Sequence, residues 1–319
     1  MRRAVLFAGA GLAVLAACSP DQAPTAPIKI TPIDPTLELT VPGEDNPGNP
    51  PAHVDFIKGI TRGAAHGGGR GGGGSNPNLV YHGGPVMTTG AVVQPIFWGT
   101  SWNNPGDKIS GLSLFYVGFG GSGYGNTNTE YTNGSGIHVS SAVNFARTTT
   151  DLSASPSGAP STATVLGEVC KMIGSAAASN GYYPVYVDHS RGNAGYCAWH
   201  SAGSCNGGAT TFQFAFFFNL DGDPGCDPQA GGVGGHSQGL AALANVSGHE
   251  LSETLTDQQL NAWYDRSGAE NSDKCAWTFG APSVTFSNGS QWKVQGNWSN
   301  NAYNSGTGYD VTKGCIQGN

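Results

Sequence analysis

The sequence predicts an α+β domain, a mixed β-sheet packed on a few helices, spanning residues 77–319 and ending in a β-hairpin. Three observations carry this expectation. β-rich runs and runs of helical period are interspersed after Pro77 without strict alternation. The globular texture lasts about 240 residues, enough for one sizeable core. The tail alternates like β-structure around Ser287-Asn288-Gly289-Ser290, a hairpin turn signal.

Taken in order, Ala91 to Gly99 is a first strand in which Pro95 marks an edge or a bulge, because proline lacks the ladder donor. Ile109 to Phe119 begins as a helix and runs on into a strand. Ser161 to Ala178 is a helix, with Val165, Val169, Met172 and Ile173 on one stripe. Tyr182 to Asp188 is a strand. Phe212 to Leu220 carries five phenylalanines in nine residues, as expected of a central strand buried on both faces. The next helix is capped by Ser237 and carries Leu240, Leu243, Ala244, Leu251 and Leu255.

Residues 1–76 have a different texture. Met1-Arg2-Arg3 followed by an apolar run to Ala17 is a secretory signal over 1–17, too short to span a membrane stably. Leu15-Ala16-Ala17-Cys18 resembles a bacterial lipobox, which implies lipidation at Cys18. Ser19 after it would permit outer-membrane sorting. Residues 18–76, rich in proline and glycine, read as a disordered tether. The expected location is therefore the cell envelope, lipid-anchored at the outer membrane or cell surface, or released outside. The lipid is the one expected membrane contact.

Beyond Cys18 there remain Cys170, Cys197, Cys205, Cys226, Cys275 and Cys315. An even set in an exported chain predicts disulfides, and Cys197–Cys205, enclosing a short Gly/Ser loop, is the first pairing expected. Charged residues make up 11% of the chain and the net charge is −7, which argues against a nucleic-acid partner.

The chemistry concentrates in His249-Glu250-Leu251-Ser252-Glu253. Four residues apart on a helix, His249 and Glu253 leave the same face. Glu250 sits where the general base stands in the H-E-x-x-H pattern of zinc peptidases, with Glu253 in place of the second histidine. Glu270 or Asp273 would supply a third ligand, leaving a position for water. Zinc is the expected cofactor. His200, in Cys197-Ala198-Trp199-His200-Ser201, is a second candidate, as an oxyanion donor or a ligand. Gly235-His236-Ser237-Gln238-Gly239 matches a nucleophile elbow. The only later histidine lies on the same helix, so Ser237 reads as a cap. The acidic stretch 221–227 lacks the glycine and glutamate positions of a calcium loop and reads as a turn.

Tyr81-His82-Gly83-Gly84-Pro85-Val86-Met87, Trp98-Gly99, Cys197 to Ser201, His249 to Asp257, Asn261 to Asp265 and Glu270 to Trp277 together resemble the phosphate-induced, EXORDIUM-like protein family over residues 79–319. That resemblance implies a secreted domain without implying a reaction. The helix with its downstream glutamate is also similar to gluzincin metallopeptidases. This likeness implies a zincin-like active-site helix, with His249 and Glu270 as ligands and Glu250 as base. Asp273 would then orient a histidine or ligate itself. The expected function is an exported zinc-dependent hydrolase, a metallopeptidase acting on an extracellular peptide or cell-wall substrate. The alternative is a non-catalytic envelope protein with a structural metal or acidic site.

Overall fold

The structure is a computed structural model that describes residues 76–318 in full and 55–58 as strand backbone. The expected signal peptide 1–17, Cys18 and the rest of the expected tether lie outside the described residues. In chain order the strands are β1 (Asp55–Lys58), β2 (Val80–Tyr81), β3 (Ala91–Val93), β4 (Ile96–Trp98), β5 (Val143–Phe145), β6 (Thr149–Asp151) and β7 (Gly181–Ser190). There follow β8 (Tyr196–Gly203), β9 (Phe212–Asn219), β10 (Trp263–Tyr264), β11 (Val284–Thr285), β12 (Gln291–Trp292), β13 (Asn297–Trp298) and β14 (Cys315–Ile316). The α-helices are α1 (Lys108–Phe119), α2 (Gly123–Asn126), α3 (Thr162–Ile173), α4 (Gln238–Thr256) and α5 (Asn300–Asn304).

One mixed sheet organises the domain, in the order β1-β8-β9-β7-β3-β5, with β4 beside β7 and β6 beside β4. The pairs β3·β5, β3·β7, β4·β6, β4·β7 and β7·β9 are parallel. β8 runs antiparallel to β9, and β1 antiparallel to β8. The remaining strands form short pairs, β2·β10, β11·β12 and β13·β14.

Side-chain alternation assigns the two faces. Phe212, Phe214, Phe216 and Phe218 project to one side, where α3 lies against β7 and β9. Trp199 packs on Phe214 and Phe216 there. Tyr182, Tyr186, Phe217 and His200 project to the other side, towards α1 and α4, where Tyr186 stacks on Phe97 and Phe217. β9 is therefore covered on both faces, and its first seven residues are buried.

Several expectations need correction. The strand predicted at Ala91 to Gly99 is broken at Gln94-Pro95 into β3 and β4. It lies inside the sheet, so Pro95 marks an interruption rather than an edge. Residues 108–119 are helical throughout, and no strand follows within them. α3 ends at Ile173, because Gly174 takes φ 58° and stops the helix. Residues 55–58, expected within the tether, add a strand to the sheet.

The disulfides join Cys170 to Cys205, Cys197 to Cys226 and Cys275 to Cys315. The expected Cys197–Cys205 pairing fails on distance. Cys197 is the second residue of the extended strand β8 and Cys205 lies two residues past its end, so at about 3.3 Å per residue their Cα atoms lie far beyond bridging range.

α1 and α4 approach closely at Gly111, where an added Cβ would stand 2.2 Å from Leu240 Cδ2. Gly111→Ala should therefore force Leu240 out of its packing and cost about 1–3 kcal/mol, read as a lower midpoint in denaturant unfolding.

Where α3 faces β6, Lys171 pairs with both Asp151 and Glu168. Burial outweighs the nearby Lys171 ammonium and pushes the Glu168 carboxyl up to about 7 from the ordinary 4.5. Hydrogen bonds from Lys171 and Ser153 outweigh burial at Asp151 and hold it at about 2. The folded state thus binds the Glu168 proton more tightly than the unfolded chain does. Its contribution is complete below pH 4.5 and is lost as pH rises towards 7. Thermal melts should show Glu168→Gln gaining on wild type across that window. A difference that stays flat with pH would contradict the assignment.

Candidate metal centre

The site is built on α4. Ser237 caps it, its Oγ accepting from the Leu240 amide at 3.2 Å and donating to Asp107 Oδ1 at 2.7 Å. That contact commits Ser237 to the helix start, as expected for a cap. At the other end Asp257 Oδ1 accepts from the amides of Asn261 at 2.6 Å and Ala262 at 2.7 Å. Between them every residue from Gly239 to Thr256 is buried. A helix covered all round is normally apolar all round. This one carries His249, Glu250 and Glu253, each with no exposed surface.

The sheet and the loop after α4 complete the cluster. β8 brings His200, fully buried, to the helix. The segment after β10 brings Glu270 and Asp273. His200 Nε2 lies 2.8 Å from Glu270 Oε2 and 3.6 Å from Glu253 Oε2. His249 Nε2 lies 3.0 Å from Glu253 Oε1 and 3.6 Å from Asp273 Oδ1. The Asp273 amide donates to Glu253 Oε1 at 3.0 Å. Glu253 thus stands between two histidines, and all the residues expected from the sequence meet here, with His200 among them.

Two trios present ligand atoms within 4.8 Å of one another: His200, Glu253 and Glu270, and His249, Glu250 and Glu253. The histidines fall in different trios, joined by Glu253. They also differ chemically. Gln295 Oε1 accepts from the Trp277 amide at 3.1 Å, while its Nε2 donates to Ser272 O at 2.9 Å and to His249 Nδ1 at 2.8 Å. Backbone groups on both sides fix the amide, so Nδ1 of His249 is an acceptor and the neutral ring carries its proton on Nε2. That Nε2 lies 3.0 Å from Glu253 Oε1 but makes no hydrogen bond among the described residues. Glu253 Oε2 has no hydrogen-bond partner among the described residues. An interior carboxylate oxygen in that position needs a cation or a proton nearby. One imidazole and two carboxylates could hold a metal ion.

Glu250 faces another environment. Tyr116 Oη, Tyr186 Oη and Ser247 Oγ form a chain with steps of 2.7 Å. Burial, reinforced by the Glu250 carboxylate, holds the hydroxyls of Tyr116, Tyr182 and Tyr186 well above the usual tyrosine range. They stay neutral at any physiological pH. Sequence reading missed this group, as it missed Gln295, because tyrosines at strand spacing read as core. The acidic stretch 221–227 is a turn as expected. Asp221 pairs with Lys108 at 2.7 Å, and Asp223 grips the Arg191 guanidinium through two nitrogens.

No family model, no curated protein and no solved structure matches the chain.

Imidazole ¹⁵N shifts of the metal-free protein should report His249 as the Nε2–H tautomer, and Gln295→Leu should abolish that preference. An Nδ1–H tautomer in wild type would refute the fixed-amide argument.

Proposed function

We propose that the domain is a zinc-dependent hydrolase whose ligands are His200 Nε2, Glu253 and Glu270, with His249 beside Glu253. The observation that carries the reading is Glu253 Oε2, buried, without a hydrogen-bond partner among the described residues, and 3.6 Å from His200 Nε2. Three protein donors are the complement of a catalytic zinc, whereas structural sites are closed by four. Bound there, zinc would lower the pKa of a water and polarise a carbonyl. Glu250, with a carboxylate oxygen within 4.8 Å of ligand atoms of His249 and Glu253, is the group to take up a proton. Ser247, Tyr186 and Tyr116 are neutral hydroxyls that order the interior beside it. Asp273 faces the Nε2–H of His249.

Three disulfides suit an oxidising compartment, which supports an exported protein acting on an extracellular peptide or cell-wall substrate. The lipidated Cys18 and the resemblance to EXORDIUM-like proteins belong to the same proposal. Full burial of His200 and Glu253 favours a second reading, a structural metal in a non-catalytic envelope protein.

Elemental mass spectrometry of protein purified without chelator should find near-stoichiometric zinc, lost in His200→Ala and Glu253→Gln. His249→Ala should keep zinc with affinity about 10–100-fold weaker, as for other groups that orient a ligand. Zinc that follows His249 instead of His200 would overturn the ligand assignment. Glu250→Gln separates the two readings. Hydrolysis of a peptide library should fall at least about 100-fold with zinc retained if Glu250 is the base, and a metal-loaded wild type inactive on every peptide tested favours the structural role.

A further inference from the structure

β1 is the outermost strand of the sheet, and it comes from the segment that precedes residue 77. Its register sets Asp55 opposite His200, Phe56 opposite Trp199 and Ile57 opposite Ala198, with a shift before Lys58 opposite Tyr196. It therefore pairs along the stretch of β8 that holds a candidate ligand. β1 also lies against α4, the helix that carries Glu253. Four residues of strand thus border both elements that bring the metal ligands together. Without them, β8 would be an edge strand with a row of unpaired backbone donors and acceptors beside His200.

We infer that the outer edge of β8 is a docking edge for an extended polypeptide, filled in this chain by its own Asp55–Lys58, and that this strand closes the metal centre. Adding a strand to an open edge is a general mode of peptide recognition, in which main-chain hydrogen bonds supply affinity. Such recognition tolerates many sequences, because every extended chain offers the same groups. A four-residue strand has little affinity of its own. Carried in the same chain, it meets the edge at an effective concentration on the order of millimolar, which keeps it docked. The inference rests on the metal reading for the closing role. The pairing itself stands apart from it.

The test uses the full chain with Phe56→Pro and Ile57→Pro together. Whichever of two adjacent residues turns its N–H to β8, that donor is removed. The variant should release zinc to excess chelator at least about 10-fold faster than wild type, with circular dichroism unchanged. A synthetic peptide of residues 53–60 should bind the variant and restore slow release, while wild type, its edge filled, should bind none. A protease site replacing Gly71–Gly74, cut after folding, separates β1 from the domain without altering either and should give the same acceleration. Peptide binding is measured with and without chelator, so it does not depend on metal. Peptide binding by a protein that never holds zinc would sustain the docking edge and remove the closing role. Unchanged release and no peptide binding in both the variant and the cut protein would overturn the inference while leaving the metal reading intact.

Discussion

The fold depends on one constraint, the presence of the Glu253 carboxylate inside the protein. An interior carboxylate is tolerated only with compensating charge or hydrogen bonds. Here the Asp273 amide donates to one oxygen, while His200 on β8 and His249 one turn earlier on α4 bring imidazole nitrogens to 3.6 and 3.0 Å. The strand, the helix and the following loop must therefore come together for any one of them to be buried. The polar interior next to it, with Gln295 spanning Trp277, Ser272 and His249, fixes which nitrogen of His249 carries the proton.

The sequence made much of this legible, and the reasons differ by element. β9 was readable because five phenylalanines in nine residues have no place outside a doubly covered strand. α4 was readable through its leucine spacing and Ser237. The meeting of His249, Glu253, Glu270 and Asp273 followed from helix geometry and a short downstream segment. His200 was visible as a candidate, but its place beside Glu270 depends on β8 folding back antiparallel on β9, which no local pattern encodes. The disulfide pairing failed for a related reason. Cys197 and Cys205 are near in sequence, but a strand holds them apart, and each is bridged to a different element.

Gln295 and the tyrosine chain were illegible in a different way. An amide in a late segment of alternating residues carries no signal of its own, and its role follows only from the two backbone groups that trap it. Tyr182 and Tyr186 look like ordinary alternating strand residues. Only the arrival of Tyr116 from α1 and Ser247 from α4 turns them into a connected set of hydroxyls. Side chains whose task depends on partners more than about 60 residues away are the ones that pattern reading passes over.

The bridges also have a topological consequence. The closed loops 170–205 and 197–226 overlap, and His200 lies in the overlap, whereas His249, Glu253 and Glu270 lie outside all three loops. His200 is thus held by two covalent rings and the other three residues by packing alone. Oxidation therefore restricts the travel of the His200 strand in the unfolded chain. A chain without these two bridges would have to order that strand by packing alone, so the position of His200 is the one in the cluster that depends on thiol chemistry.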